Sequence, residues 1–437
     1  MKIKPDPPTN TALIEPGMKG YPHGAPARRV GELAALRWNV LAGDLPLPLA
    51  LIKREALEHN LAWMQQQVRA WGLDLAPHGK TTMSPQLFAR QLDAGAWGMT
   101  FATVTQLGIG VAAGVCRALI ANQVVSGADL AGIQRMLSLH ADLRVVFLVD
   151  SLAQLALVED WAQHEGAALP TFKPFEVMLE VGVPGGRTGC RDEATALALA
   201  GRLHASRAVR LVGIECYEGL AAKGRTEVDA PYAEALMARV QALARHCEAQ
   251  GWFEADEVLL SAGGSAIFDL VARGLKPVLV RPVRGLLRSG CYVTHDHSHY
   301  KRLVNVVEQR LGAAPGSTLQ PALEVWTLVQ SRPEPGLAIL TAGRRDVSFD
   351  VALPTPMARA VRGEKKAAPV PASWKITGLN DQHAYLRWDA ADESHAPQVG
   401  ERVGLGIAHP CTTFDKWQWM PIVENDYRVV DAVRIYF

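Results

Sequence analysis

The chain is short of almost everything that would carry it out of the cytosol or onto a charged polymer. Its 437 residues hold only six cysteines, scattered and without paired spacing. That excludes a disulfide framework and reads as reduced cytosolic thiols. No apolar run approaches the ~20 residues that span a bilayer, so no membrane partner is expected. The stretch Met1–Arg29 is rich in Pro, Gly and basic residues and has no apolar h-region, so it does not read as a secretory signal. Charge of either sign is not in excess: 45 Lys and Arg against 44 Asp and Glu leave a formal +1. Nothing there suggests nucleic acid or a membrane surface as a partner. There is no internal repeat and no long low-complexity tract; the nearest, Gly363–Pro371, reads as an exposed loop.

What remains is a well-packed globular chain, 49% hydrophobic, and too long for one ordinary core. A helical pattern runs from near Arg54 to Trp71. After it, apolar strand candidates alternate with helices. Strands are expected near Leu73–Pro77, Met99–Thr103, Ala118–Asn122, Arg144–Val149, Glu176–Val181, Arg210–Cys216, Glu257–Ser261 and Pro277–Val283. Intervening helices are expected over Ser84–Ala94, Leu130–His140, Leu152–Glu165, Asp192–Ala205 and Pro231–Gln250. Such alternation argues for a parallel sheet covered by helices, and eight units suggest a closed (β/α)8 barrel over 46–300. An open doubly wound sheet is the other reading of the same pattern. Beyond about Tyr300 the segments become short, β-rich and separated by Gly, Pro and Asn turns. Residues 301–437 therefore read as an antiparallel β domain, and 1–45 as an extension that joins it or wraps the barrel.

The unusual residues fall just past the C-terminal ends of the expected strands, the rim where barrel enzymes build their sites. Lys80 follows the first strand in Leu75-Ala76-Pro77-His78-Gly79-Lys80-Thr81. A lysine held dry at such a mouth can lose its proton and form a Schiff base with an aldehyde cofactor; alone, it would read as a surface lysine. Arg187 lies in the Gly185–Gly189 loop after the fifth strand, and Tyr217-Glu218-Gly219 follows the sixth. Gly263-Gly264-Ser265 and Arg288-Ser289-Gly290-Cys291-Tyr292 follow the seventh and eighth, where barrels commonly hold phosphate on backbone N–H groups.

A second signal is His409-Pro410-Cys411, read as extended, so that residues two apart point the same way. An imidazole and a thiolate on one face can hold zinc with open positions for water or substrate. The alternative is a small buried Cys beside a hydrogen-bonded His. Cys116, Cys190, Cys216, Cys247 and Cys291 read as core or loop thiols, Trp417 and Trp419 as core, and His295–His299 as a polar loop.

Taken together, Pro77–Thr81, Ala121–Val125, Gly186–Gly189, Tyr217–Gly219, Gly263–Ser265, Gly290–Tyr292 and His409–Thr413 resemble, in the same order, the D-serine dehydratase and D-threonine aldolase family. The resemblance covers about Pro46 to the C-terminus. It implies a pyridoxal 5'-phosphate enzyme with an alanine-racemase-like barrel and a C-terminal β domain, acting on a small D-amino acid, cytoplasmic and a homodimer. It places the cofactor's Schiff base on Lys80, a cofactor or substrate contact on Arg187, and Tyr217 beside the ring. It places phosphate contacts on Gly263, Gly264, Ser265, Gly290 and Tyr292, and the metal on His409 and Cys411. In the aldolases an acidic residue typically stands two positions after the metal histidine; the D-serine dehydratases carry cysteine, as here. A thiolate favours zinc over harder ions.

The expected reaction is therefore elimination of the β-hydroxyl from a D-3-hydroxy amino acid such as D-serine or D-threonine, the released enamine then being hydrolysed to a 2-oxo acid and ammonia. Lys80 would take the α-proton, and zinc would help the β-hydroxyl leave. Zinc lowers the pKa of bound water from about 15.7 to roughly 7–9. Retro-aldol cleavage to glycine and an aldehyde is the alternative. A non-catalytic pyridoxal-phosphate-binding protein would lack the β domain, and a racemase would need a second base that the sequence does not reveal.

Overall fold

The computed structural model describes residues 11–391 and 393–437. It divides into two units. One comprises Met64–Lys80 and Gln91–Gly290; the other comprises the described residues up to Trp63 together with Thr81–Arg90 and Cys291–Phe437.

In the first unit the apolar runs become eight parallel strands: β1 Asp74–Leu75, β2 Met99–Phe101, β3 Arg117–Gln123, β4 Arg144–Val149, β5 Phe175–Val181, β6 Val209–Cys216, β7 Val258–Ala262 and β8 Val283–Leu287. Each pairs with the next from β2 onward, and β8 returns to β1 with Leu286 beside Asp74 and Leu287 beside Leu75. Past Leu75 the chain continues against β2. Trp97 N–H donates to the Leu75 carbonyl (2.7 Å), Thr100 N–H donates to the Pro77 carbonyl (2.9 Å), and His78 bridges to Thr100. The ring is thus closed, a (β/α)8 barrel as expected. Its interior is filled by Ala76, Leu119, Val146, Leu148, Met178, Val212, Leu259 and Leu286. Strands covered on both faces read as continuous apolar runs, which is why most were legible. Crossover helices start at side-chain caps: Thr103, Ser151 and Asp192 each accept an N–H from the first turn.

The eighth strand corrects the expectation. Pro277–Val283 is largely not a strand, and Val278 and Val280 are 93% and 95% exposed. Pro277 and Pro282 remove two ladder donors, so pairing begins only at Val283. There Gly285 lets the strand pass tightly: a Cβ would lie 2.8 Å from the Leu275 carbonyl oxygen.

The second unit is built on Leu323–Glu334. That strand pairs antiparallel with Arg402–Gly406, with Leu337–Leu340 and with Leu49–Lys53. Leu49–Lys53, which the sequence pattern did not mark as a strand, also pairs parallel with Trp419–Val423. The segment ahead of it packs in the same unit. Lys19 Nζ donates to Asp346 Oδ1 (2.9 Å), and Trp419 Nε1 donates to the Lys19 carbonyl (3.0 Å). Met1–Asn10 lie outside the described residues. No helix among the described residues is long and apolar enough to cross a membrane.

Candidate active site

In the barrel unit the candidate groups stand at the C-terminal strand ends. Lys80 sits in the tight turn Gly79–Thr81 after β1. His78 beside it is half-buried, with its Nδ1 buried and unpartnered. Burial, and then the charges of Lys80, Arg288 and Arg187, push its pKa well below the ordinary value. His78 is therefore a neutral ring in a cationic neighbourhood. Arg187 lies with its guanidinium carbon 4.8 Å from the centre of the Tyr217 ring. Its loop is held by Arg191, which donates to the carbonyls of Thr188 (2.6 Å) and Gly186 (2.8 Å). Thr188 Oγ1 donates to Glu180 (2.7 Å), and Gln123 of the Ala121–Val125 motif donates to the same carboxylate.

Two features here were missed by sequence reasoning. Arg288 and Glu215 form a fully buried ion pair, with Arg288 Nη2 also donating to the Cys216 carbonyl (3.1 Å). Arg288 Nε and Nη1 and Glu215 Oε2 remain without partners. Burial above all raises the Glu215 carboxyl to about 7, despite the arginine. The other is Glu218, 0% exposed, which accepts the N–H of Gly263 (3.0 Å) and of Gly264 (2.7 Å). The two glycines expected to contact phosphate thus already hold a carboxylate. A glutamate inside an otherwise apolar strand–loop boundary was the available signal for both.

These residues fit an anionic aldehyde cofactor. The Gly263–Gly264 turn binds an anion on consecutive amides in this structure, and only glycine can make it. Gly263 has φ +131°, and a Cβ there would lie 2.8 Å from Arg288 N. A Cβ on Gly264 would reach 3.3 Å from the Tyr217 ring. Arg288 offers unpartnered buried donors, and Lys80 supplies the amine. Ser265 is half-buried and Gly290 buried at the same strand ends. Tyr292 is buried in the second unit, in the turn Cys291–Val293.

His409 and Cys411 also lie in the second unit, and their backbone differs from the extended form expected. Pro410 is helical (φ −58°, ψ −47°), and Cys411–Phe414 is a helical turn. The turn forms because Phe414 N–H reaches the Pro410 carbonyl (2.9 Å) while Thr413 Oγ1 donates to the His409 carbonyl (3.1 Å). The two side chains nevertheless interact, each favouring the charged form of the other. Asp350 Oδ2 lies 2.6 Å from His409 Nδ1, and Thr412 Oγ1 donates to Asp350 Oδ1 (2.8 Å). Burial would lower the His409 pKa, but Cys411 and Asp350 raise it to about 9. Cys411 Sγ lies 3.6 Å from Cys291 Sγ and 3.5 Å from Thr81 Oγ1. A hydrogen bond from Cys291, outweighing burial, and those from His409 and Thr81 hold the Cys411 thiol well below its ordinary pKa. A thiolate–imidazole pair is a suitable donor set for a borderline-soft cation. Among the described residues no three His, Cys, Asp or Glu side chains converge as a complete metal site. The pair could therefore hold an ion only with further positions open.

The His295–His299 tract is a polar loop up to the start of the next helix, and its first residues are buried: His295 and Asp296 are 1% and 0% exposed. Asp296 accepts the N–H groups of Ser298, Tyr300 and Lys301 at the start of the helix His299–Leu311.

Against known proteins, the alanine racemase N-terminal domain family matches residues 52–282, more than half of the chain. The chain belongs to this family. A serine dehydratase domain family matches 322–423. The D-threonine aldolase of Arthrobacter sp is 26% identical over 378 residues, covering 86% of this chain and 89% of that protein. The D-threo-3-hydroxyaspartate dehydratase of Delftia sp. (strain HT23) is 29% identical over 389 residues, covering 84% and 92%. The crystal structure of D-threonine aldolase from Filomicrobium marinum superposes with a TM-score of 0.73 at 21% identity, covering 90% and 95%, which shows the shared fold. The chain is thus an alanine-racemase-like protein whose similar relatives are a D-threonine aldolase and a D-threo-3-hydroxyaspartate dehydratase.

Proposed function

We propose that this enzyme is a pyridoxal-phosphate- and zinc-dependent dehydratase that converts a D-3-hydroxy amino acid, such as D-serine or D-threonine, to a 2-oxo acid and ammonia. The observation that carries the reading is Cys411. A thiolate paired with His409, in place of a carboxylate, suits zinc, and zinc suits a hydroxyl that must leave. The cofactor, when bound at Lys80, supplies an electron sink for the substrate's α-carbon. Zinc on His409 and Cys411 would supply a Lewis acid for the β-oxygen.

The chain's own groups supply the rest. Lys80, once exchanged for the substrate amine, is the base that takes the α-proton at Nζ. Neutral His78 adds no competing positive charge near that amine. Arg187, fixed by Arg191 and stacked on Tyr217, offers a guanidinium to an anionic oxygen of cofactor or substrate. The Gly263–Ser265 turn and Gly290 form the anion-binding side of the barrel unit. Asp350 accepts from His409 Nδ1 and so leaves Nε2 for the metal. The six cysteines form no disulfide among the described residues, in keeping with a reducing cytoplasm. A homodimer is part of the same reading.

Ammonia release measured with D-serine, D-threonine, D-alanine and L-serine tests it. D-serine or D-threonine should yield ammonia and the matching 2-oxo acid. D-alanine, lacking a β-hydroxyl, should yield none. Chelation should stop turnover and zinc should restore it. Comparable rates on L-serine, or full activity in rigorously metal-free enzyme, would overturn the assignment.

A further inference from the structure

Glu218 stands between two parts of the site and has no part of its own in the reading above. Its side chain is completely buried, and the ion-pair partner of the nearby Arg288 is Glu215. The two oxygens of Glu218 divide between consecutive amides, Oε2 on Gly263 and Oε1 on Gly264. The carbonyl of Glu218 accepts the N–H of Ala221, which closes its own loop. From the other side Ser289 Oγ donates to the Gly264 carbonyl (2.8 Å). The glycine turn after β7 is thus tied by one residue to the loop after β6 and by another to the loop after β8. At φ +131° Gly263 holds a conformation that only glycine adopts readily and that needs such fastening to persist.

We propose that Glu218 is the positioning residue of the phosphate cup: its carboxylate is a fixed internal anion that shapes the Gly263–Gly264 turn, so that the cofactor's phosphate is received by the donors beyond that turn, beginning at Ser265. The proposal rests on the pyridoxal-phosphate reading of the site. It also reassigns the two glycines, whose N–H groups serve the glutamate and present the turn. A carboxylate with no exposed surface is poorly placed to swing aside, because leaving its amides would strand a charge in the interior. A second anion therefore joins it, with the Arg288 charge close by.

The test compares pyridoxal 5'-phosphate with pyridoxal, which lacks only the phosphate, as ligands of the full-length protein. Dissociation constants are taken from the absorbance of the Lys80 adduct in wild type, Glu218→Gln and Glu218→Ala, with thermal melts alongside. Glu218→Ala should bind pyridoxal 5'-phosphate at least about tenfold more weakly and pyridoxal unchanged, since only the cup is disturbed. Glu218→Gln, whose single amide oxygen can serve one of the two N–H groups, should fall between, and it carries the test if the alanine variant does not fold. Unchanged or tighter phosphate binding without the carboxylate would overturn the proposal and make Glu218 a competitor for the phosphate's own amides. Equal losses for both ligands would reduce it to a support of the fold. Failure of the wild type to bind either ligand would instead refute the cofactor reading.

Discussion

Removing Asp350 should loosen the metal without disturbing the cofactor. His409 Nδ1 and Asp350 Oδ2 are 2.6 Å apart, and Thr412 fixes the other carboxylate oxygen at 2.8 Å. The carboxylate therefore selects the tautomer with the proton on Nδ1 and holds the ring plane. Losing such an orienting partner costs about 10–100-fold in metal affinity, roughly 1.4–2.7 kcal/mol. The Asp350 side chain is 40% exposed, so solvent screens its charge and the lower end applies where an oxygen remains. Asp350→Asn should weaken zinc about tenfold, and Asp350→Ala, which loses both contacts, closer to a hundredfold. Competition with a chromophoric chelator reads the affinity directly. Borohydride trapping of the cofactor on Lys80 should be unchanged in both variants. Zinc affinity within about threefold of wild type in Asp350→Ala would refute the orienting role.

Lys80→Ala should abolish borohydride-reducible attachment of the cofactor and essentially all turnover; trapping at another lysine would show that the site is misassigned. Arg288→Met should destabilise the fold by about 3–5 kcal/mol in urea unfolding, because it leaves Glu215 buried without its cation; Arg288→Met with Glu215→Leu should recover much of that loss. Acid should act through the buried histidines. Burial holds His295 and His297 at about 3, while an unfolded histidine titrates near 6.5. Their contribution is complete above pH 6.5 and is lost as pH falls toward 3, because only the unfolded chain takes up the protons there, at about 1.4 kcal/mol per pH unit for each ring. His295→Asn keeps a residue tolerant of the φ of 47° at that position and should flatten the slope of stability between pH 6 and 5; an unchanged slope would contradict this account.

The barrel was legible because strands buried on both faces are written as uninterrupted apolar runs. Where an apolar run is exposed instead, as at Val278 and Val280, the same rule misplaced the strand. Leu49–Lys53 escaped notice because it runs directly into the helix Arg54–Ala70, with no turn residue between them. The candidate residues that short motifs carry, such as Lys80 and the glycine pair, could be picked out in advance. Their partners could not. Asp350 is 59 residues from His409, and Cys291 is 120 from Cys411, so no local spacing joins them. Glu218 lay inside a noticed motif, but its hold on two distant amides depends on the loops after β6 and β7 meeting at one end of the barrel.

The central claim is that the β-hydroxyl leaves while the Cα–Cβ bond survives. Product analysis after a single incubation with D-threonine measures that choice. An aldolase would deprotonate the hydroxyl and break Cα–Cβ; a dehydratase takes the α-proton and expels hydroxide. With zinc held by His409 and Cys411, the products should be mainly 2-oxobutanoate and ammonia in equal amounts, with little glycine. Predominant glycine and acetaldehyde would contradict the account, even with Lys80 and the metal pair correctly assigned.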